Sequence, residues 1–275
     1  MELVRRIERA LADAGVVWAD EEAWRIVEAA AGRRRAALVA GDDLGDDERE
    51  RALTLARRRA AGEPLQYVTG VSGFRRLELG VGPGVFVPRP ETEVVAERAM
   101  ERLPRGGVLV DVGTGSGAIA LSVAHERPDA RVLATETSPA AASWAARNRS
   151  ALGLDVELLA GDLLEPLPAS LRGAVDVVVS NPPYVPSTAR DALPRDVVDY
   201  EPHDALFAGE DGTELHDRVA AAARPWLRRG GWLVLEIGYD QRAAALRILS
   251  ERSYADARVL PDLAGRARVV EGRAA

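Results

Sequence analysis

The spacing of apolar and polar positions changes twice along the chain. Up to about residue 62, apolar side chains recur near the helical period: Leu3, Val4, Ile7 and Leu11, then Trp24, Ile26 and Val27. Asp20 ahead of Glu21-Glu22-Ala23 supplies an N-cap and an acidic first turn for the second of these helices, and the stretch from Gly41 to Asp47 reads as a turn. Between residues 62 and 90, Gly62, Gly70, Gly73, Gly80, Gly82 and Gly84 separate short apolar pieces. Of these, Phe74 to Leu79 and Val85-Phe86-Val87 are expected to pair as a hairpin. Pro88-Arg89-Pro90-Glu91-Thr92-Glu93 then opens a further helix, where proline and acidic residues suit a helix start.

From residue 108 strands alternate with helices. The candidate strands are Val108–Val112, Arg131–Thr135, Val156–Ala160, Val175–Ser180, Trp232–Ile237, Ala255–Leu260 and Arg268–Glu271. Helical patterns separate the first five, which predicts a parallel sheet covered on both faces. Only Pro261-Asp262-Leu263-Ala264-Gly265 joins the last two, too short for a helical crossover, so these pair antiparallel. The expected architecture is α/β: a Rossmann-like seven-stranded sheet with its last strands antiparallel, preceded by a small all-helical domain and a hairpin linker. The expected boundaries are 1–70 for the helical domain, 71–90 for the linker and 91–275 for the sheet domain.

Composition narrows the function classes. At 275 residues, 47% hydrophobic and 29% charged, the chain suits a globular protein of one large and one small domain. With no cysteine, a disulfide framework, a thiolate metal site and a cysteine nucleophile are excluded. No apolar run approaches the roughly 20 residues of a membrane helix, and MELVRRIERALADAG has no signal-peptide core, so a cytoplasmic protein is expected. The formal net charge is -7. Arginines cluster at Arg33-Arg34-Arg35 and Arg57-Arg58-Arg59, yet residues 1–70 hold 12 arginines against 14 acidic residues. Lysine is absent throughout, which points to coding bias rather than an arginine-specific role. Stable nucleic-acid binding, which usually shows a basic face, is not expected.

Asp111-Val112-Gly113-Thr114-Gly115-Ser116-Gly117-Ala118 falls where the first strand of the sheet turns into a helix. Glycines there let the backbone approach a ligand, and the helix N-terminus offers free N–H groups. Glu136, 23 residues after Gly113, ends the second strand, where a carboxylate can accept from both hydroxyls of a ribose. Asp162, after Gly161, is placed to approach an adenine edge or to serve as a turn residue. These features fit NAD and S-adenosylmethionine equally. Asn181-Pro182-Pro183-Tyr184, straight after the fourth strand, separates them. Two prolines stiffen the backbone and remove two N–H donors, so nearby carbonyls can face a substrate. Asn181 oxygen and the Pro182 carbonyl can each accept one N–H of an NH₂ group, and Tyr184 can stack on its planar system. That pattern orients a delocalised nitrogen for in-line attack on a methyl sulfonium and needs no strong general base.

The chain resembles the release-factor glutamine methyltransferases, the HemK/PrmC type, over nearly its full length. Beside the glycine loop and Asn181–Tyr184, the resemblance is carried by Gly62-Glu63-Pro64-Leu65-Gln66-Tyr67 with Thr69-Gly70, and by Pro88-Arg89-Pro90-Glu91-Thr92-Glu93. Tyr200-Glu201-Pro202 with Ala205-Leu206 and Leu235-Glu236-Ile237-Gly238 add to it. It implies a methyltransferase sheet and transfer of a methyl group from S-adenosylmethionine, with S-adenosylhomocysteine as product and no metal. The implied acceptor is the side-chain nitrogen (N5) of the glutamine in the Gly-Gly-Gln motif of class-1 peptide release factors. Implied cofactor positions are Gly113, Thr114, Gly115, Ser116, Gly117, Glu136, Asp162, Leu163 and Asn181. Asn181, Pro182, Pro183 and Tyr184 are the implied substrate contacts; Asn181, Pro182 and Tyr184 carry the chemistry. The helical domain would help hold the release factor, and the enzyme would act as a monomer. Departures from the family pattern are Glu136 for the usual aspartate, Leu163 for a frequent aromatic, and Ala208-Gly209 for a glycine pair.

His125, His203 and His216 lack metal-ligand spacing and read as surface or loop residues. Residues 185–214 form a long proline-containing loop of the kind that acts as a lid or clamp. Rival readings are an adenine-N6 nucleic-acid methyltransferase, a ribosomal-protein glutamine methyltransferase, a nicotinamide-dependent oxidoreductase and a non-catalytic binding module. The acidic balance counts against the first, and the oxidoreductase leaves Asn181–Tyr184 unexplained.

Overall fold

The structure is a computed structural model that describes residues 2–41 and 43–275. Asp42, within the expected turn, lies outside the described residues. Two compact units divide the chain. One gathers the residues up to Val71 with Val81–Pro83 and Pro194–Tyr200, and the other holds Ser72–Gly80, Gly84–Leu193 and Glu201–Ala275.

The first unit is helical: α1 (Glu2–Asp13), α2 (Ala19–Ala31), α3 (Arg35–Val39), α4 (Asp46–Ala60) and α5 (Leu65–Thr69). Ile7, Leu11, Ala23, Ile26 and Ala52 are fully buried at its centre. Helix α2 starts earlier than expected. Trp18 takes the N-cap position, and Asp20, Glu21 and Glu22 fill the first turn, where their charge complements the helix dipole. Both arginine clusters contribute to ion pairs within this unit: Arg33 with Glu48 at 2.6 Å, Arg58 with Glu63 at 2.5 Å and Arg59 with Glu22 at 2.5 Å.

Next come β1 (Val71–Phe74) and β2 (Leu77–Gly80), which pair as a two-stranded sheet, and α6 (Thr92–Arg102). The hairpin differs from expectation. Phe74 to Leu79 spans its turn rather than one strand, with Arg75 at φ 51°, and Val85–Val87 runs outside any strand. Glu93 accepts the Arg75 N–H at 2.9 Å and Glu126 pairs with its guanidinium at 2.6 Å, so tertiary contacts fix a turn that local sequence does not signal.

The large sheet is built from β3 (Val108–Val112), β4 (Arg131–Glu136), β5 (Glu157–Ala160), β6 (Val175–Ser180), β7 (Leu227–Glu236), β8 (Tyr254–Pro261) and β9 (Ala267–Ala274). Its helices are α7 (Ala118–Glu126), α8 (Pro139–Leu152), α10 (Glu214–Ala223) and α11 (Arg242–Glu251); α9 (Arg195–Tyr200), which follows β6 and precedes α10 along the chain, belongs to the first unit. The strand order is β5-β4-β3-β6-β7-β9-β8. Neighbours from β5 to β7 pair parallel, whereas β9 pairs antiparallel with both β7 and β8. The seven-stranded Rossmann-like sheet expected from the sequence is therefore present, with its latest strand in the interior.

Helices cover both faces. All six residues of β6 are buried: Val177 and Val179 pack with α6 and α7 residues, and Val178 packs on the other side with Val219 of α10 and Ile248 of α11. Register then levels the strand ends. Val112 stands opposite both Thr135 and Ser180, and Ser180 stands opposite Leu235. The next residues, Gly113, Glu136, Asn181 and Glu236, consequently share one rim. The strand order reverses between β3 and β6, and in such sheets ligands enter at that crevice.

Candidate active site

The crevice holds a cleft of about 290 Å³. All the expected cofactor and substrate positions, Gly113 through Gly117, Glu136, Asp162, Leu163 and Asn181 through Tyr184, take part in its wall, with one exception: Gly117 does not reach it.

The glycine loop owes its shape to three left-handed residues, Gly113 (φ 68°), Gly115 (φ 61°) and Gly117 (φ 87°). Their roles differ. A Cβ at Gly117 would lie 2.7 Å from Leu121 Cδ1, so this glycine serves packing against α7. A Cβ at Gly113 or Gly115 would meet no protein atom within 4 Å, so those two present bare backbone to the cleft. Asn148 of α8 steadies the loop, donating to the Ser116 carbonyl (2.9 Å) and the Gly80 carbonyl (3.0 Å) while accepting from Gly80 N–H (2.8 Å).

Two carboxylates support this rim. Asp111 accepts from the Thr114 hydroxyl (2.6 Å) and from Ala120 N–H (3.1 Å). Burial pushes its pKa up to about 7 despite those bonds, and its Oδ1 has no hydrogen-bond partner. Glu136 receives Gly115 N–H on Oε2 (2.8 Å) and Ser138 N–H on Oε1 (2.9 Å). Each oxygen keeps a lone pair for a further donor. Asp162 is committed elsewhere: its carboxylate pairs with Arg218 at 2.7 Å on the surface. Beside it Leu163 adopts φ 46°, an uncommon conformation for a branched side chain.

The Asn181–Tyr184 segment is held from behind. Asn181 Nδ2 donates to Thr92 Oγ1 at 3.2 Å, which leaves the amide oxygen as the acceptor for the cleft. Gln241 donates to the Tyr184 carbonyl at 2.9 Å and to the Gly212 carbonyl at 3.2 Å. At Gly212 (φ 74°) a Cβ would sit 2.3 Å from that Tyr184 oxygen, so only glycine fits. The Tyr184 hydroxyl donates to Glu236 Oε1 at 3.1 Å and accepts from Arg268 Nη1 at 3.2 Å. Burial and the adjacent Glu236 push the phenol pKa upward. Burial likewise lifts Glu236 to about 7, with Thr92, Arg268 and Tyr184 offsetting part of the rise.

Glu236 stands in the Leu235-Glu236-Ile237-Gly238 motif, which by itself assigns it no role. The available signal was a single acid inside the apolar run Trp232–Ile237. His216, expected at the surface or in a loop, is instead buried on α10 with Nε2 2.7 Å from the Glu236 carbonyl oxygen, and burial lowers its pKa. His125 and His203 are exposed, as expected. Among the described residues no group of three or more His, Cys, Asp or Glu could hold a metal ion.

Two motifs far apart in sequence also meet. Arg89 forms an ion pair with Glu201, whose other oxygen accepts Val87 N–H at 3.3 Å. The loop after Tyr184 is tied down by Val185 N–H to Leu206 O and Ala208 N–H to Val185 O, both 3.0 Å. It carries short helical turns at Ser187–Ala192 and His203–Ala205.

A family model described as "PrmC N-terminal domain" matches residues 2–70, and one described as "Methyltransferase small domain" matches residues 80–198. A release factor glutamine methyltransferase of Geobacter sulfurreducens is 39% identical over 265 residues, covering 96% of this chain and 92% of its own. The protein of that name from Streptomyces coelicolor is 42% identical, covering 99% and 97%. The chain belongs to the release factor glutamine methyltransferase family. It is thus a methyltransferase by family. Fold comparison agrees: a methyltransferase from Pyrococcus furiosus superposes with a TM-score of 0.52 at 21% identity, covering 72% of this chain and 88% of that one. A 16S rRNA methyltransferase from T. thermophilus, solved with AdoMet and guanosine, gives 0.53 at 22%, covering 74% and 50%. No helix among the described residues is long and apolar enough to cross a membrane.

Proposed function

We propose that the protein transfers a methyl group from S-adenosylmethionine to N5 of the glutamine in the Gly-Gly-Gln motif of class-1 peptide release factors. One observation carries this reading. The amide oxygen of Asn181 is left as an acceptor on the same rim as a glycine loop whose backbone is bare toward the cleft.

The residues present fit the cofactor. Gly113 and Gly115 admit close approach, Glu136 can accept from two ribose hydroxyls, and Thr114, Ser116, Gly117, Asp162 and Leu163 complete the binding segment on this reading. Asp162 would contribute chiefly backbone, since its carboxylate is paired with Arg218. Bound there, S-adenosylmethionine would supply an electrophilic methyl group, with S-adenosylhomocysteine as the product.

The chain's own work is to present the nucleophile. Asn181 oxygen and the Pro182 carbonyl accept the two N–H bonds of the glutamine amide and draw its nitrogen out of conjugation. Pro183, with no N–H, keeps a competing donor out of the turn. The Tyr184 ring walls the planar amide, its hydroxyl anchored on the far side. The amide nitrogen becomes acidic only as the new bond forms and then releases one proton to solvent water, so no strong base is required beforehand. Orientation of this kind supplies several kcal/mol, on the order of 7–11 in ideal intramolecular reactions.

On this reading residues 1–70 recognise the release factor, 71–90 link, and 91–275 carry the chemistry. The protein works as a cytoplasmic monomer and needs no metal. Mass spectrometry of methyl transfer to purified class-1 release factor tests it, with duplex DNA and a ribosomal-protein fraction in parallel. One added methyl group on the Gly-Gly-Gln glutamine supports it; transfer only to DNA or ribosomal protein overturns the substrate.

A further inference from the structure

We propose that Glu236 and Thr92 are positioning residues for methyl transfer: Glu236, with Arg268, fixes the Tyr184 ring, and Thr92 fixes which end of the Asn181 amide meets the cleft. This rests on the functional reading above and names residues that act behind its contacts.

The direction of each hydrogen bond carries the inference. A guanidinium only donates, so a hydroxyl beside one accepts from it and keeps its single proton for another acceptor. Tyr184 stands 3.1 Å from Glu236 Oε1 and 3.2 Å from Arg268 Nη1, so its hydroxyl must donate to the first and accept from the second. The ring is therefore held at its far end as well as through its backbone. Arg268 is fixed in turn by the Ile237 carbonyl (3.3 Å) and by Asp262 (3.6 Å).

A second chain starts from the same carboxylate. Thr92, the first residue of α6, accepts from Asn181 Nδ2, so its own proton must be directed elsewhere. Glu236 is near enough for Thr92 to influence its carboxylate, and the buried Oε2 of that carboxylate has no hydrogen-bond partner, so it is the open acceptor for that proton. With Thr92 polarised in this sense, Asn181 turns its NH₂ inward and its oxygen toward the cleft. Were the amide reversed, two NH₂ groups would face each other and the substrate amide could not be held.

The test compares Thr92→Val, which removes the hydroxyl at nearly constant shape, with Thr92→Ser, which keeps it. Glu236→Gln is the second arm, since an amide must donate where the carboxylate accepted. Turnover on purified release factor, KM for that factor and calorimetric Kd for S-adenosylmethionine are measured on the full chain, with thermal melts alongside. For Thr92→Val and Glu236→Gln the expected result is a fall in kcat of about tenfold or more, the size of one lost oriented hydrogen bond. Kd for S-adenosylmethionine should stay within about twofold, and Thr92→Ser should recover kcat to within about threefold of wild type. Wild-type kcat in Thr92→Val, or equal impairment in the serine and valine variants, would overturn the inference while leaving the functional reading intact. Wild-type protein that binds S-adenosylmethionine yet methylates no release factor overturns both.

Discussion

Gly115→Ala and Gly117→Ala make a matched pair, because both glycines are left-handed and only one faces protein. For an L-residue, the left-handed conformation costs about 1–2 kcal/mol. At Gly115 that is the whole structural penalty, since the new methyl group would meet no atom within 4 Å. At Gly117 the methyl would also press on Leu121 at 2.7 Å, adding about 1–3 kcal/mol of overpacking. With melting shifts of about 2–4 °C per kcal/mol in a domain of this size, Gly115→Ala should lower Tm by about 2–8 °C and Gly117→Ala by up to about 20 °C. Affinity should rank in the opposite sense. The Gly115 methyl occupies the space a ligand needs and should weaken S-adenosylmethionine binding by about tenfold or more, or about 1.4 kcal/mol. Calorimetry with the cofactor, beside thermal melts without it, measures both. Unchanged affinity in Gly115→Ala would mean that nothing approaches that backbone, and the loop would be a structural turn.

Glu271, buried, accepts from Arg98 (2.9 Å), Arg102 (2.5 Å) and Arg258 (2.7 Å); burial alone would raise its pKa, but these bonds hold it at about 2. Glu271→Ala should destabilise by about 3–5 kcal/mol in denaturant unfolding, because the charges left behind lose their partner. The wild-type contribution is complete above the ordinary glutamate range, near pH 4.5, and is lost as pH falls toward about 2. Glu236 behaves oppositely. Its folded-state pKa of about 7 lies above the unfolded value, so its share of stability is greatest at acidic pH and declines as pH rises through neutrality. Glu236→Gln should flatten the fall in Tm between about pH 5 and about pH 8, the remaining slope belonging to Asp111 in the same sense and to His216, whose lowered pKa acts in the opposite sense, and an unchanged slope would contradict the assignment. Asn148→Ala should cost about 1–3 kcal/mol through the stranded Gly80 N–H and weaken cofactor binding through the freed Ser116 carbonyl; calorimetry showing wild-type affinity would separate the loop from α8.

The central strands of the large sheet were legible because β3 and β6 are short runs rich in valine, and Val108–Val112 and Val175–Ser180 have the same limits in sequence and structure. The glycine loop and Asn181–Tyr184 could be placed on one rim because parallel strands deliver their following residues to the same edge. What escaped has long-range causes. The hairpin turn at Arg75-Arg76 contains no glycine or asparagine, and its stabilising partners Glu93 and Glu126 lie 18 and 51 residues from Arg75. Likewise Glu201 carries no local signal of its bond to Arg89, 112 positions away. The burial of His216 depended on where α10 packs, and the importance of Glu236 depended on which side chains the strand order brought beside it.

The interior place of β9 bears on how the protein can be made and cut. The strand latest in sequence seals the gap between β7 and β8, so neither of those two gains its shared neighbour until residues 267–274 have been synthesised. Until then β7, which carries Glu236, presents a bare edge open to foreign strands, and Arg268 does not yet exist to meet Tyr184. A truncation removing only β9 would not trim a margin. It would split the sheet, expose two edges and dismantle the support behind the reaction site, so such a product should aggregate rather than persist as a weakened enzyme.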